Sequence, residues 1–185
     1  MTKPVIFLDR DGTLNPDPGY IASLDQYTFY EDALDALDLL ASQGFRFAIA
    51  TNQSGVARGL IERRHLDEIH RFIAHSLEKR GIPFLGVYAC NHGPDEGCDC
   101  RKPRTGLFEQ VARDHSVRLE SAYVIGDSVR DMQAGKALGM KTVLVRTGEG
   151  ASAEKELSDM GIEVDFVGDT LMDCARYVIS QEVPV

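Results

Sequence analysis

An α/β fold built on a doubly wound parallel sheet is predicted by three features of this 185-residue chain. Short apolar runs alternate with longer segments of helical period. The runs are nearly continuous rather than polar at every second position, as expected of strands covered on both faces. Polar clusters follow several runs at once, and in such sheets ligands bind at the carboxyl ends of the strands.

Val5 to Leu8 reads as a short, fully buried strand ending at Asp9. A loop rich in Pro, Gly and Asp follows (NPDPGY, 15–20). In EDALDALDLLASQG, Leu34, Leu37 and Leu40 share one helical face and Gly44 stops the helix. Phe45 to Ala50 is a second strand, running into Thr51-Asn52-Gln53. Residues 62–80 carry Leu66, Ile69, Ile73 and Leu77 at helical spacing, closed by Gly81. Phe84 to Ala89 is a third strand, with a Cys/His loop directly behind it. Thr105 is placed to cap a helix bearing Leu107, Phe108 and Val111. Ala122 to Ile125 is a strand ending at Gly126-Asp127, and a helix runs from about Val129 to Leu138. Lys141 to Val145 is a further strand. The pattern then weakens to a helix near 153–160, a strand near 164–167 and a last helix near 170–180, all read as edge structure. No repeat, low-complexity tract or linker divides the chain, so residues 1–185 are expected to form a single domain.

Hydrophobic residues at 43% and charged ones at 26% are globular values. The net charge of −9 argues against a nucleic-acid partner, which needs a basic surface. A small anionic substrate stays open, because local cations or a metal override the global sign. The first apolar run is too short for a signal peptide or a membrane span, and no later run is long enough. A cytoplasmic monomer without membrane contact is expected, its four cysteines thiols or metal ligands rather than disulfides.

Asp9-Arg10-Asp11-Gly12-Thr13 sets two carboxylates one residue apart behind a buried strand. They repel unless a cation is near, although D-G-T is also an ordinary turn. Gly126-Asp127-Ser128 with Asp131 adds carboxylates behind another strand, and oxygen ligands of this kind suit Mg²⁺. Asp131 reads equally as a first-turn acid favoured by the helix dipole. Thr51 and the turn after it offer a hydroxyl and N–H groups for phosphate oxygens, while Thr behind a strand is also a common cap. Lys102, beside Pro103, can neutralise a phosphoryl oxygen, or be a solvated surface charge.

In order, Asp-x-Asp-Gly-Thr, Thr, Lys-Pro and Gly-Asp-Ser-x-x-x-Asp resemble the haloacid dehalogenase (HAD) superfamily over residues 9 to 131. The resemblance implies a phosphotransferase fold, with Asp9 as nucleophile and aspartyl-phosphate carrier. It implies Asp11 as the acid and base, and Thr51 and Lys102 as phosphoryl contacts. Mg²⁺ would be held by the Asp9 side chain, the Asp11 main-chain carbonyl and Asp127.

Cys90-x-His92 and Cys98-x-Cys100 supply one imidazole and three thiolates with no spare position, which describes a closed structural Zn²⁺ site. A redox pair and unligated thiols are the competing readings. Such a crosslink would clamp the loop that presents Arg101 and Lys102. Cys174 reads as a buried filler, and His65, His70 and His75 as surface residues. The zinc loop together with DRDGTLN, the GY loop, TNQSGVARG and GDSVRDM is similar to the D-glycero-D-manno-heptose 1,7-bisphosphate 7-phosphatase family over about residues 4 to 150. The histidinol-phosphate phosphatase family shares the zinc loop, but Ala-Arg-Gly after TNQSG fits the heptose side better. The resemblance implies a sugar bisphosphate substrate and a role in lipopolysaccharide precursor synthesis.

No segment is long enough for a cap domain, so an open site is expected. Its specificity would come from Asp17, Pro18, Gly19 and Tyr20, from Asn52, Gln53, Ser54 and Arg58, and from Arg101. Arg101, then Arg58, are the candidates for the second phosphate, with solvated-surface roles as the alternative. A receiver domain that keeps its phosphate is the rival from another class.

Overall fold

The computed structural model describes residues 3–182. Six strands form one parallel sheet in the order β3-β2-β1-β4-β5-β6: β1 (Val5–Leu8), β2 (Arg46–Asn52), β3 (Phe84–Cys90), β4 (Tyr123–Gly126), β5 (Lys141–Val145) and β6 (Phe166–Gly168). The order reverses beside β1, so the switch point lies between the carboxyl ends of β1 and β4, where Asp9 and Asp127 emerge.

The alternation of side chains along β1 divides the core. Ile6 and Leu8 face one layer, built from α1 (Ala33–Ser42), α2 (Arg63–Lys79) and α6 (Leu171–Gln181). Val5 and Phe7 face the other, built from α3 (Gly106–His115), α4 (Val129–Ala137) and α5 (Gly150–Asp159). Phe7 meets Phe108 with ring centroids 5.1 Å apart. The doubly wound expectation holds, and the segments between β1 and α1 and between β2 and α2 carry only a short 3-10 turn at Leu24–Gln26. Among the described residues, no helix is long and apolar enough to cross a membrane.

Several boundaries differ from the sequence reading, each for a packing reason. β2 runs on through Thr51 and Asn52 because they pair with Ala89 and Cys90 of β3. Both Thr51 and the first Cys of the Cys/His loop therefore stand on strands. α1 turns Ala33, Ala36, Leu37 and Leu40 inward and leaves Leu34 half-buried. Thr105 sits before α3, yet its hydroxyl donates to Glu109 Oε1 (2.6 Å) rather than capping the backbone. The C-terminal helix is not edge structure: Leu171, Cys174, Ala175 and Val178 of α6 are buried against α1 and the sheet.

Candidate active site

The rim of the switch point gathers the acidic motifs. Asp9 Oδ1 accepts from its neighbour's N–H (Arg10, 2.8 Å) and from Lys102 Nζ (3.0 Å). Asp127 is lodged between glycines: a Cβ on Gly12 would lie 1.9 Å from its Oδ2, and one on Gly148 2.1 Å from it. Both glycines have positive φ (81° and 57°), so side chains are disfavoured there on two counts. The Thr13 hydroxyl and the Glu149 N–H donate to Asp127 (3.3 and 2.9 Å), and Thr147 Oγ1 donates to the Gly12 carbonyl (2.6 Å).

Asp131 serves two purposes at once. Its Oδ2 completes a capping box with Ser128 at the start of α4. Its Oδ1 accepts from Lys102 Nζ at 2.6 Å. The lysine, 2% exposed, spends its third donor on the Ala50 carbonyl (2.6 Å). Its pKa is raised: burial opposes its charge, but Asp131 and Asp9 outweigh burial.

Carboxylate oxygens of Asp9, Asp127 and Asp131 lie within 4.8 Å of one another. Burial first, and then their mutual repulsion, push the pKa values of Asp9 and Asp127 upward. One lysine against two buried carboxylates and the half-buried Asp9 leaves negative charge uncompensated, and hard oxygen donors fit a small divalent cation. The trio includes the Asp131 side chain and not that of Asp11, whose carboxylate faces other partners.

Those partners set its charge. Asp11 accepts a two-pronged bond from Arg10 (Nε 2.8 Å, Nη2 2.9 Å) and single bonds from Asn15 (3.0 Å) and Gln53 (2.8 Å). Burial alone would raise its pKa, but the Arg10 charge and these donors hold it below the ordinary carboxylate value.

The lysine loop is fastened at both ends. The Asn52 amide makes a reciprocal pair with the Lys102 backbone, donating to its carbonyl (3.1 Å) and accepting from its N–H (3.0 Å). On the far side, Cys90 Sγ lies 3.5 Å from His92 Nδ1 and 3.6 Å from Cys98 Sγ, and His92 Nδ1 lies 3.2 Å from Cys100 Sγ. Edges of this length fit a tetrahedron with metal bonds of about 2.0–2.3 Å, the lengths zinc takes with N and S ligands. The Arg104 side chain reaches the Cys98 carbonyl, and Gly106 N–H donates to the Asp99 carbonyl (3.0 Å).

A cavity of about 300 Å³ opens over Asp9. Its wall includes Thr51, Asp17, Gly19, Tyr20, Ser54 and Arg101 of the expected set. Asn52 and Gln53 also reach it, but their amides are committed to Lys102 and to Asp11, Thr51 and Arg10. Pro18 and Arg58 stand outside. Gly19 N–H donates to the Asp17 carboxylate (2.8 Å), a local turn that leaves Pro18 exposed. Arg58 lies on the tip of a turn closed by bonds from Leu60 and Ile61 N–H to the Gly55 carbonyl (2.8 and 3.1 Å).

Sequence reasoning missed Arg10, buried and forked onto Asp11, and Glu149, whose backbone supports Asp127. It missed Arg130, which lines the cavity and pairs with Glu149 (3.5 Å). It also placed His70 at the surface, whereas His70 is half-buried against Arg10. An Arg between two acids reads as solvated, and only the long-range contacts reveal otherwise.

A parallel sheet with an aspartate directly behind its first strand, a buried lysine and an acid trio at the switch point defines a HAD-type phosphatase. A HAD-hydrolase-like family model matches residues 99–174. The D-glycero-beta-D-manno-heptose-1,7-bisphosphate 7-phosphatase of Haemophilus ducreyi is 38% identical, covering 96% of this chain and 100% of its own. The enzyme of the same name from Escherichia coli K12 is 36% identical, covering 98% and 96%. Among solved structures, the D,D-heptose 1,7-bisphosphate phosphatase of B. bronchiseptica, complexed with magnesium and phosphate, superposes with a TM-score of 0.87 at 35% identity, covering 96% of this chain and 99% of that one. The chain belongs to the D-glycero-beta-D-manno-heptose-1,7-bisphosphate 7-phosphatase family.

Proposed function

We propose that this chain removes the 7-phosphate of D-glycero-β-D-manno-heptose 1,7-bisphosphate, with Asp9 as the nucleophile, acting as a single-domain cytoplasmic monomer. The observation that carries the mechanism is the Asp9 carboxylate at 3.0 Å from the buried Lys102 ammonium, over a cavity at the switch point. The shared substrate name of its near-full-length relatives supports the choice of sugar.

Asp9 would attack phosphorus as the bond to the sugar oxygen breaks. The departing alkoxide takes a proton from Asp11, and Asp11 later receives one from the water that hydrolyses the aspartyl phosphate. Because Arg10 holds the Asp11 pKa down beforehand, Asp11 would take its proton from solvent as the phosphoryl charge enters beside it. Lys102 would turn its Asp9-directed donor to a phosphoryl oxygen while Asp131 and Ala50 retain the other two. Thr51, at the end of β2, offers its hydroxyl to the same group.

Asp9, Asp127 and the Asp11 carbonyl would hold Mg²⁺, which neutralises phosphoryl charge when bound. Cys90, His92, Cys98 and Cys100 would hold a structural zinc. Arg101 is the candidate contact for the 1-phosphate: it lines the cavity, and its Nη1 is buried without a hydrogen-bond partner.

Phosphate release from heptose 1,7-bisphosphate and from histidinol phosphate, measured on one magnesium-loaded sample, tests this reading. Many turnovers and preference for the heptose are expected. Preference for histidinol phosphate would refute the substrate, and a single stoichiometric phosphorylation would return the receiver alternative.

A further inference from the structure

Arg10 has no exposure to solvent, and a buried guanidinium is costly unless its donors are met. Two of its nitrogens form the fork on Asp11, and Nη2 also reaches Gln53 Oε1 (3.2 Å). The third, Nη1, lies 3.1 Å from Nε2 of His70 on α2, sixty residues away in sequence. A guanidinium has donors only, so Nε2 must accept and the ring must be neutral with its proton on Nδ1. Burial, and next the Arg10 charge, push the His70 pKa down to about 4, which keeps the ring neutral at neutral pH, while the contact with Arg10 selects the tautomer.

The planar group is therefore pinned on three sides, by Asp11, Gln53 and His70. Neither Arg10 nor His70 lines the substrate cavity. Taking away the His70 acceptor would leave a buried donor unpaired. Where a side chain without an acceptor fills the place of the ring and keeps water out, the guanidinium recovers only by rotating, and rotation would carry its fork, and the Asp11 carboxyl with it, out of line.

We propose that His70 is a positioning residue for proton transfer to the leaving group, holding Arg10 so that Arg10 holds Asp11. This rests on the reading of Asp11 as proton donor. In that step the phosphorus–oxygen bond breaks and the alkoxide oxygen takes the Asp11 proton. An alkoxide needs that proton, whereas a nitrophenolate leaves without it. Misplacing Asp11 thus penalises sugar phosphate and spares aryl phosphate, while loss of folded protein lowers both alike.

The test compares kcat/KM, which covers every step through bond cleavage, for heptose 1,7-bisphosphate and p-nitrophenyl phosphate. His70→Phe is expected to lower the sugar-to-aryl ratio by about tenfold or more, a part of the roughly 10²- to 10⁴-fold that positioned proton transfer supplies. His70→Gln, whose amide oxygen can stand near the place of Nε2, is expected to restore the ratio to within about threefold of wild type. Asp11→Asn is the control and should lower the ratio by about 10²- to 10⁴-fold. Should His70→Phe fail to fold, His70→Asn, with an acceptor too short to reach Arg10, reads the same ratio within one sample. A selective loss in Asp11→Asn beside equal losses in the His70 variants overturns the His70 inference alone. An unselective Asp11→Asn overturns the proton-donor reading and this inference together.

Discussion

Lys102 shows how a single residue is committed before substrate arrives: three donors, three acceptors, and almost no exposure. Only the bond to Asp9 can be exchanged without breaking the support from Ala50 and Asp131. Asp9→Asn keeps the shape but removes the nucleophile, so hydrolysis is expected to fall by at least about 10³-fold with the fold intact. Phosphate release together with circular dichroism checks this, and a near-normal rate would exclude covalent catalysis at Asp9. Arg101→Ala is expected to raise KM for the bisphosphate by about 10- to 100-fold, the worth of a charged hydrogen bond. The same variant should leave p-nitrophenyl phosphate nearly untouched; equal losses on both would remove Arg101 from recognition. Asp9 and Asp127 were legible because each stands directly behind a strand at motif spacing, Thr51 because it lies near the end of one, and Lys102 because it follows the Cys/His loop next to a proline. Arg10 and His70 were not, because their meaning is a contact across sixty positions that no local pattern encodes.

Among the elements, the loop between β3 and α3 depends most on its fastenings. It carries Lys102, yet it is built from irregular backbone whose order comes from the Cys/His cluster and from the Asn52 amide. Cys98→Ser is expected to release about one zinc per chain and to lower both kcat and melting temperature. Metal analysis and thermal melts check this, and a fully active, zinc-free variant would contradict the clamp. The cysteine spacing made this element readable. The extension of β2 and β3 by the residues that serve it was not, since a strand's end is decided by its neighbour in the sheet. The double duty of Asp131 was hidden for a similar reason: the capping half is local, while the lysine half is 29 residues distant.

For the whole molecule, the alternation of runs and helical segments revealed the parallel sheet, but not the strand order that makes the end of β1 a switch point. The tail was misjudged because its strand is only three residues long and its helix shows its value only when packed on α1. Leu171→Ala in that helix is expected to cost about 2–5 kcal/mol, as large-to-small core changes do. Denaturant unfolding measures it, with kcat per folded molecule unchanged; a cost under about 1 kcal/mol would return the helix to the periphery.

The last rung between β2 and β3 pairs Asn52 with Cys90, and Gln53 N–H donates to the Cys90 carbonyl at 2.7 Å. One backbone step thus joins the anchor of the lysine to the first thiol of the cluster. Grafting this loop into a different hydrolase would therefore require moving the strand pair as a cassette. A transplant of the three cysteines and His92 alone would bring the cluster without the register that aims the ammonium group.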